Sequence, residues 1–192
     1  MEVINISATN RGSTRVESDF YATPIPVVIK FLHNHNLKEG DILEPTAGNG
    51  NIIKALREYG YSNHITAVEI RREEKDNLRI NGANRVINAN ILKFDKVQER
   101  NFTTIISNPP YSIAQEVIEK CFEISNQNTE IIMLLRTAFL ESKKRYNFWQ
   151  KHPLNKLYVL SQRPSFTGKG TDATSYAWFI WNGSDKQEIK VI

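Results

Sequence analysis

The sequence has little of several residue types, and each shortage excludes a class of protein. It contains one cysteine, Cys121, so no disulfide can form within the chain, and we expect a reducing, cytoplasmic location. One thiol and four histidines argue against a Cys/His zinc site, and we expect no metal. No apolar run approaches the ~18 residues of a membrane-spanning helix. The polar residues 1–13 also lack the apolar stretch of a signal peptide, so we expect no membrane partner.

The composition that is present is typical of one globular domain. At about 150 residues per domain, a chain of 192 residues predicts a single unit. A hydrophobic fraction of 40% and a charged fraction of 24% exclude a disordered or coiled-coil protein. We expect an N-terminal arm over residues 1–18 and one domain over residues 19–192. The net charge of +4 permits a nucleic-acid partner without demonstrating one.

Strand and helix patterns alternate along the chain. Strand patterns fall at residues 41–44, 65–70, 85–89, 103–107, 130–135, 157–160 and 175–181, and helix patterns at 24–34, 51–59, 71–81, 112–122 and 138–150. This alternation predicts an α/β fold with a mostly parallel sheet and helices on both faces. Ligands bind beyond the carboxyl ends of such strands. Four polar residues fall at those ends: Glu44, Glu69, Asn90 and Asn108.

A glycine-rich turn follows the first predicted strand. Gly48 and Gly50 allow a ligand to approach the backbone closely, but Ile53 stands where a dinucleotide fingerprint has its third glycine. Glu44, just before the turn, disfavours a pyrophosphate and suits a cationic ligand such as S-adenosylmethionine, which carries a sulfonium and an ammonium group. Glu69 ends the next strand, where an acid can accept both hydroxyls of a ribose.

The run Asn108-Pro109-Pro110-Tyr111 restricts the chemistry most. Because proline fixes its own φ and keeps the preceding residue extended, Asn108 is held rigidly at a strand end. The Asn108 amide oxygen and nearby carbonyls are hydrogen-bond acceptors, and Tyr111 offers a stacking face. This set suits a planar substrate with an NH2 group. Acceptors on both N–H groups localise the nitrogen lone pair and stabilise the charge that develops as a methyl group arrives.

These segments together resemble the S-adenosylmethionine-dependent DNA N6-adenine methyltransferases, especially their small phage-encoded members with a γ-like motif order. The resemblance covers about residues 19–181. It implies a Rossmann-like class I methyltransferase fold with a seven-stranded, mostly parallel sheet. It also implies methyl transfer to the N6 amine of adenine in DNA, on a flipped or single-stranded base, as in restriction–modification systems.

The resemblance assigns a role to each matching residue. The catalytic residues it implies are Asn108, Pro109, Pro110 and Tyr111, and the cofactor contacts are Tyr21, Thr23, Glu44, Pro45, Ala47, Gly48, Gly50, Glu69, Ile70, Asn90, Ile91 and Asn108. Tyr111 and Phe166 are the implied contacts to the target base. The local charge adds three candidates for phosphate contact: Lys143, Lys144 and Lys169.

Two departures from the family pattern carry hypotheses. Asn90 replaces the aspartate that usually accepts from the cofactor adenine, which predicts weaker cofactor binding. The predicted domain also leaves no room for a separate target-recognition domain. We therefore expect short or relaxed specificity, or specificity supplied by a second copy of the chain or an accessory protein.

Three alternatives remain open on the sequence alone. An RNA N6-adenine methyltransferase needs the same pocket, because the target base is the same. A protein glutamine N5-methyltransferase shares the catalytic motif but usually carries an N-terminal helical domain. An inactive cofactor-binding regulatory module would have little reason to keep residues 108–111 intact.

Overall fold

The computed structural model describes residues 22–94, 101–166 and 172–192. The predicted arm, residues 1–18, lies outside this range, as do Tyr21 and Lys169. The strands are β1 (Asp41–Glu44), β2 (Ile65–Glu69), β3 (Arg85–Asn88), β4 (Phe102–Ser107), β5 (Glu130–Arg136), β6 (Lys156–Val159), β7 (Tyr176–Trp181) and β8 (Glu188–Val191). The α-helices are α1 (Ile25–Leu32), α2 (Asn51–Tyr59), α3 (Lys75–Ile80), α4 (Ala114–Ile124) and α5 (Tyr146–Lys151).

The strands form one sheet in the order β3-β2-β1-β4-β5-β7-β6-β8. The pairs from β3 across to β5 are parallel, β7 runs antiparallel to both β5 and β6, and β8 is parallel to β6. The chain runs outward from β1 to β3 on one side and then resumes at β4 on the other side of β1. A ligand crevice is expected at this switch point, beyond the carboxyl ends of β1 and β4.

The predicted α/β class is confirmed, but the predicted count of seven strands is wrong, since the described residues form eight. The missed strand is β8, which lies at the edge of the sheet and pairs with β6 alone. Its residues Ile189 and Val191 are 78% and 66% exposed. An exposed edge strand needs no apolar run, so its sequence resembles that of a polar loop.

Helices cover both faces of the sheet because the strand side chains alternate in direction. On β7, Trp178 packs in the core cluster that contains α1 and α2, and the neighbouring Phe179 packs in the cluster that contains α4 and α5. Cys121 of α4 is fully buried in the second cluster, which confirms its prediction as a core residue. None of the helices in the described ranges combines the length and the hydropathy that crossing a bilayer requires.

The helix predicted over residues 138–150 is wrong in its first half. The chain there forms two turns of 3-10 helix, Thr137–Leu140 and Lys143–Arg145, and α5 begins only at Tyr146. Ser142, between the two turns, has a φ of 155°, which is incompatible with an α-helix. The apolar spacing that predicted one helix therefore comes from Phe139 and Phe148, which pack into the same core cluster from separate elements.

Candidate active site

A cavity of about 500 Å³ opens at the switch point. The predicted site residues that line it are Thr23, Glu44, Pro45, Ala47, Gly48, Glu69, Ile70, Asn90, Ile91, Asn108, Pro109, Pro110 and Tyr111. They come from the segment before α1 and from the ends of β1, β2, β3 and β4. The structure therefore brings together most of the residues that the sequence predicted for the site, although their roles remain predictions.

Glu44 places a buried carboxylate in this cavity. The residue is 2% exposed, and its Oε2 has no hydrogen-bond partner among the described residues. Burial and the nearby charge of Glu69 raise the pKa of the Glu44 carboxyl well above its ordinary value. A cation bound beside Glu44 would lower this pKa again by stabilising the charged carboxylate, so the cavity favours a positively charged ligand.

Glu69 holds the glycine turn in place. Its Oε2 accepts a 2.7 Å hydrogen bond from the Gly48 backbone, and its Oε1 accepts bonds of 2.9 Å from the backbone N and the Nε of Arg71. Each carboxylate oxygen has two lone pairs, so capacity to accept a ribose hydroxyl remains. Glu69 therefore joins β2 to the turn between β1 and α2, in addition to its predicted role towards the ribose.

Gly50 does not itself line the cavity, although its neighbours Asn49 and Asn51 do, so its predicted contact to the cofactor stays a prediction. It is the residue before α2 and has a φ of 82°. A Cβ at this position would meet side-chain atoms of Leu78 and Asn81 at 3.0 Å. Glycine is favoured at this position because the chain turns in the left-handed region against α3.

Asn108 sits between two hydroxyl groups. Its Nδ2 donates to the Thr23 Oγ1 over 3.1 Å, and its Oδ1 accepts from the Tyr111 hydroxyl over 2.9 Å. The amide orientation is thereby fixed by one partner far away in the sequence, Thr23, and one partner three residues away, Tyr111. The catalytic prediction requires this Oδ1 to accept an amine N–H as well, and a carbonyl-type oxygen has two lone pairs.

Thr23 is anchored on its other side by a residue that the sequence analysis missed. The Thr23 carbonyl accepts a 2.8 Å hydrogen bond from the Asn51 Nδ2, and Thr23 itself is 6% exposed. Asn51 begins α2, directly after the glycine turn. Asn51 is a polar residue directly after the glycine turn, and that position could have indicated a role in the site.

Tyr111 lies in an aromatic and cationic cluster. The Arg136 guanidinium carbon is 4.9 Å from the Tyr111 ring centroid, and the Tyr176 ring lies 5.8 Å away at a tilt of 44°. Phe166, the other predicted base contact, packs edge-on against Tyr176 at 5.0 Å. Burial raises the pKa of the Tyr111 hydroxyl well above its ordinary value, so it remains a hydrogen-bond donor at every physiological pH.

Asn90 lines the cavity but already uses its side-chain oxygen. The Oδ1 accepts a 3.0 Å hydrogen bond from the Leu92 backbone and begins the 3-10 turn Ile91–Lys93. A carboxylate could cap this turn equally well, so the asparagine is not required for the local fold. The replacement therefore changes the charge that faces the cavity more than it changes the backbone.

Two of the predicted phosphate contacts, Lys143 and Lys144, do not line the cavity, and the third, Lys169, lies outside the described residues. Lys143 and Lys144 lie in an exposed 3-10 turn, and Lys143 lines a separate surface groove with Tyr146 and Trp149. Among the described residues, no group of three or more His, Cys, Asp or Glu side chains could hold a metal ion. The cavity can bind a cationic ligand near Glu44 and present hydrogen-bond acceptors to a second ligand near Asn108.

The sequence analysis also missed two arginines at this edge. Arg71 holds Glu69, and it follows β2 by two residues. Arg136 is the last residue of β5, directly beside Tyr111. The rule that predicted Glu44 and Asn108 from the ends of parallel strands applies equally to these two positions.

Comparison with known protein families identifies one match over most of the chain. The sequence model for ribosomal RNA adenine dimethylase matches residues 21–162. The curated relative "Ribosomal RNA small subunit methyltransferase A" of Malacoplasma penetrans (strain HF-2) is 28% identical over 169 residues. That alignment covers 75% of this chain and 61% of the relative, so the chain matches less than two thirds of the relative's length.

Solved structures agree on the fold. A protein of Listeria monocytogenes assigned to the class I S-adenosylmethionine-dependent methyltransferases superposes with a TM-score of 0.65 at 11% identity, over 92% of this chain and 67% of that one. The 23S rRNA methyltransferase ErmE superposes with a TM-score of 0.63 at 15% identity, over 88% of this chain and 71% of that one. The predicted Rossmann-like class I methyltransferase fold is confirmed.

Proposed function

The chain belongs to the ribosomal RNA adenine dimethylase family, and we propose that it methylates the N6 amine of an adenine in ribosomal RNA, with S-adenosylmethionine as methyl donor. The observation that carries this proposal is the family match over residues 21–162, which spans the cofactor turn and the Asn108–Tyr111 motif that line one cavity. Membership of a dimethylase family adds the expectation that the amine accepts two methyl groups in succession.

The described residues fit the cofactor. The unpartnered Oε2 of buried Glu44 provides a counter-charge for a cationic ligand, and the Oε2 of Glu69 at the end of β2 retains capacity to accept a ribose hydroxyl. When bound, S-adenosylmethionine supplies an electrophilic methyl group on its sulfonium. Ile70 and Ile91 add apolar surface to the same cavity, as an adenine ring requires. The family and the fold bear out the prediction of this cofactor from the sequence.

The acceptor half of the site follows from Asn108 and Tyr111. The Asn108 Oδ1 would accept one N–H of the target amine, and a carbonyl of the following Pro-Pro segment would accept the other. These acceptors draw the nitrogen lone pair out of conjugation and stabilise positive charge on the nitrogen. Because Thr23 and Tyr111 hold the amide in place, little reorganisation is needed during the reaction.

The nature of the nucleic acid is where the sequence analysis and the comparisons differ. The sequence analysis favoured DNA, but the comparisons give no support to DNA, phage or restriction–modification. They support the RNA alternative, because the family, the curated relative from Malacoplasma penetrans and ErmE are all named for ribosomal RNA. The chemistry at Asn108 is the same for adenine in either polymer, so the motif itself favours neither.

A panel of acceptors tests the proposal. The purified protein is incubated with methyl-labelled S-adenosylmethionine and, separately, with unmodified transcripts of the two large ribosomal RNAs, with duplex DNA, with single-stranded DNA and with a release factor. We expect label in RNA. Label in DNA or in the release factor alone would identify a different acceptor and refute the proposal.

The catalytic motif provides the matched control. Asn108→Ala should abolish transfer while the protein still binds S-adenosylmethionine in calorimetry, because Glu44 and Glu69 remain. Cofactor binding by the wild-type protein with no transfer to any acceptor would instead identify an inactive cofactor-binding module. The division into residues 1–18 and 19–192, without a target-recognition domain, stays a prediction that this panel does not address.

A further inference from the structure

The guanidinium of Arg136 is used differently from those of Arg57 and Arg145, which also lie partly buried in the fold. Arg57 donates to the carbonyls of Tyr61, Asn63 and Gly82. Arg145 also stacks on an aromatic ring, that of Phe139, and donates to two backbone carbonyls. Among the described residues, the Arg136 guanidinium makes one hydrogen bond, from its Nε to the Tyr176 hydroxyl over 3.3 Å.

The neighbours of Arg136 fix its direction, and Asp172 attracts its charge without a direct hydrogen bond to it. Arg136 and Tyr176 are directly paired in the register of β5 and β7. The Tyr176 hydroxyl donates in turn to the Asp172 Oδ2 over 2.8 Å, while the Asp172 Oδ1 accepts from Thr174. The hydrogen bonds of Asp172 therefore go to Tyr176 and Thr174. Within the described ranges, both Nη nitrogens of Arg136 remain available to a ligand.

The position of Arg136 adds the second observation. It ends β5, the neighbour of the strand that carries Asn108, and its guanidinium lies over the ring of Tyr111. A positive charge beside the acceptor half of the site, 4.9 Å from the Tyr111 ring centroid and with four unused N–H donors, is matched to an anion with several acceptor oxygens. The planar fork of arginine fits the geometry of a phosphate in particular.

We propose that Arg136 binds a backbone phosphate of the RNA strand beside the target adenosine and, by stacking on Tyr111, places the base against Asn108. This inference rests on the proposed function, since it assumes a nucleic-acid acceptor. It assigns Arg136 a role in binding and orienting the substrate, and the reaction steps at the amine remain with Asn108. A phosphate contact carries no sequence preference.

The test measures RNA binding as a function of salt for three variants. The probe is a short single-stranded oligoribonucleotide with one central adenine among uracils. Arg136→Gln removes the charge, and Arg136→Lys keeps it without the planar fork. Arg79→Gln is the control, because Arg79 lies on exposed α3 at the far edge of the sheet, where it approaches Asp76 at 4.0 Å.

Loss of one phosphate contact has a quantitative signature. The slope of log affinity against log salt should fall by about 0.7 in Arg136→Gln, and affinity at low salt should fall by about tenfold. Arg136→Lys should keep the wild-type slope, and Arg79→Gln should match the wild type throughout. The affinity for S-adenosylmethionine should be unchanged in all three variants.

Two results would overturn the proposal. An unchanged salt slope in Arg136→Gln would mean that the guanidinium only supports Tyr111. A loss of binding that appears only when guanine flanks the adenine would mean that Arg136 reads a base edge. Both readouts are independent of methyl transfer. If the proteins bind RNA with the expected salt slopes but the wild type transfers no methyl group, the proposed function is refuted and the phosphate contact of Arg136 is still supported.

Discussion

The Nδ2 of Asn108 donates a hydrogen bond to the Thr23 hydroxyl over 3.1 Å, across 85 residues of sequence. This contact joins the segment before α1, which also binds Asn51 through the Thr23 carbonyl, to the catalytic motif after β4. One buried threonine therefore positions both the cavity wall and the amide that we propose as the acceptor group of the reaction.

Replacing the Thr23 hydroxyl should slow the reaction without preventing cofactor binding. Thr23→Val keeps the shape of the side chain but removes the acceptor for the Asn108 amide, and we expect kcat to fall by about fivefold, the effect of one hydrogen bond. Thr23→Ser keeps the acceptor and should retain most of the activity. Steady-state kinetics with saturating cofactor would check this, and equal losses in the two variants would indicate a packing effect instead.

Glu44→Gln should have opposite effects on cofactor binding and on stability. The neutral amide gives up the charge that faces the cationic ligand, so affinity for S-adenosylmethionine should fall by about tenfold or more. It also removes the cost of keeping a proton on a buried carboxyl whose unfolded form is ionised, so the cofactor-free variant should melt at a higher temperature than the wild type at neutral pH. Calorimetric titration and thermal unfolding test the two effects separately. A lower melting temperature would contradict the electrostatic account.

The raised pKa of Glu44, caused first by burial and then by Glu69, also sets a pH dependence. Between the ordinary pKa and the raised one, native Glu44 holds a proton that the unfolded chain has lost. The free energy of unfolding of the cofactor-free protein should therefore fall as pH rises through this window. The difference from Glu44→Gln should grow over the same range. Denaturant unfolding of both proteins at several pH values measures it, and parallel pH profiles would contradict the prediction.

Asn90→Asp should tighten cofactor binding. An aspartate can keep the hydrogen bond to the Leu92 backbone that now begins the 3-10 turn, and it adds a negative charge at the cavity. A charged acceptor makes a stronger hydrogen bond to the amine of the cofactor adenine. Calorimetry should show affinity raised by about threefold to tenfold. Unchanged or weaker binding would show that asparagine at position 90 does not lower the affinity for the cofactor.

A buried pair at the opposite edge of the sheet gives a prediction for stability alone. Glu130 accepts from His35 at 3.0 Å, from the Lys38 backbone at 2.9 Å and from the Thr104 hydroxyl at 3.1 Å. Glu130→Ala would leave these buried groups unpaired, so the free energy of unfolding should fall by about 3 kcal/mol. The kcat measured well below the melting temperature should be unchanged. A large loss of kcat at full folding would show that the amino edge of the sheet affects the site.

The accuracy of the sequence predictions depended on burial. Strands β1, β2, β4, β5 and β7 bury nearly every side chain, so each has an apolar run that indicates a strand in the sequence. The edge strand β8 buries little and was missed, and Ser142 interrupts the predicted helix through its backbone alone. Most residues that line the cavity could be predicted because short turns after strands place them. The strand-end rule applies to the position of Arg136, but its contact with Tyr176 could not be predicted, since these residues become neighbours only when β5 pairs with β7.

The choice between DNA and RNA could not be made from the residues at the site. Asn108 and Tyr111 recognise an amine and a flat ring, and adenine offers both in either polymer. The sugar and the strand geometry distinguish the two, and proteins read these features through contacts outside the methyl-transfer pocket. Lys143 and Lys144 lie in an exposed turn away from the cavity, and their charge alone is attracted to both polymers.

The most direct test of the central claim is the identity of the methylated nucleoside. Unmodified ribosomal RNA transcripts are treated with the wild-type protein and with Asn108→Ala, digested to nucleosides and analysed by mass spectrometry. The proposed function predicts N6-methylated adenosine, with the dimethylated form at completion, from the wild type, and a yield at least about 100-fold lower from the variant. Adenosine that stays unmodified in RNA while duplex DNA gains N6-methyladenine under the same conditions would contradict it.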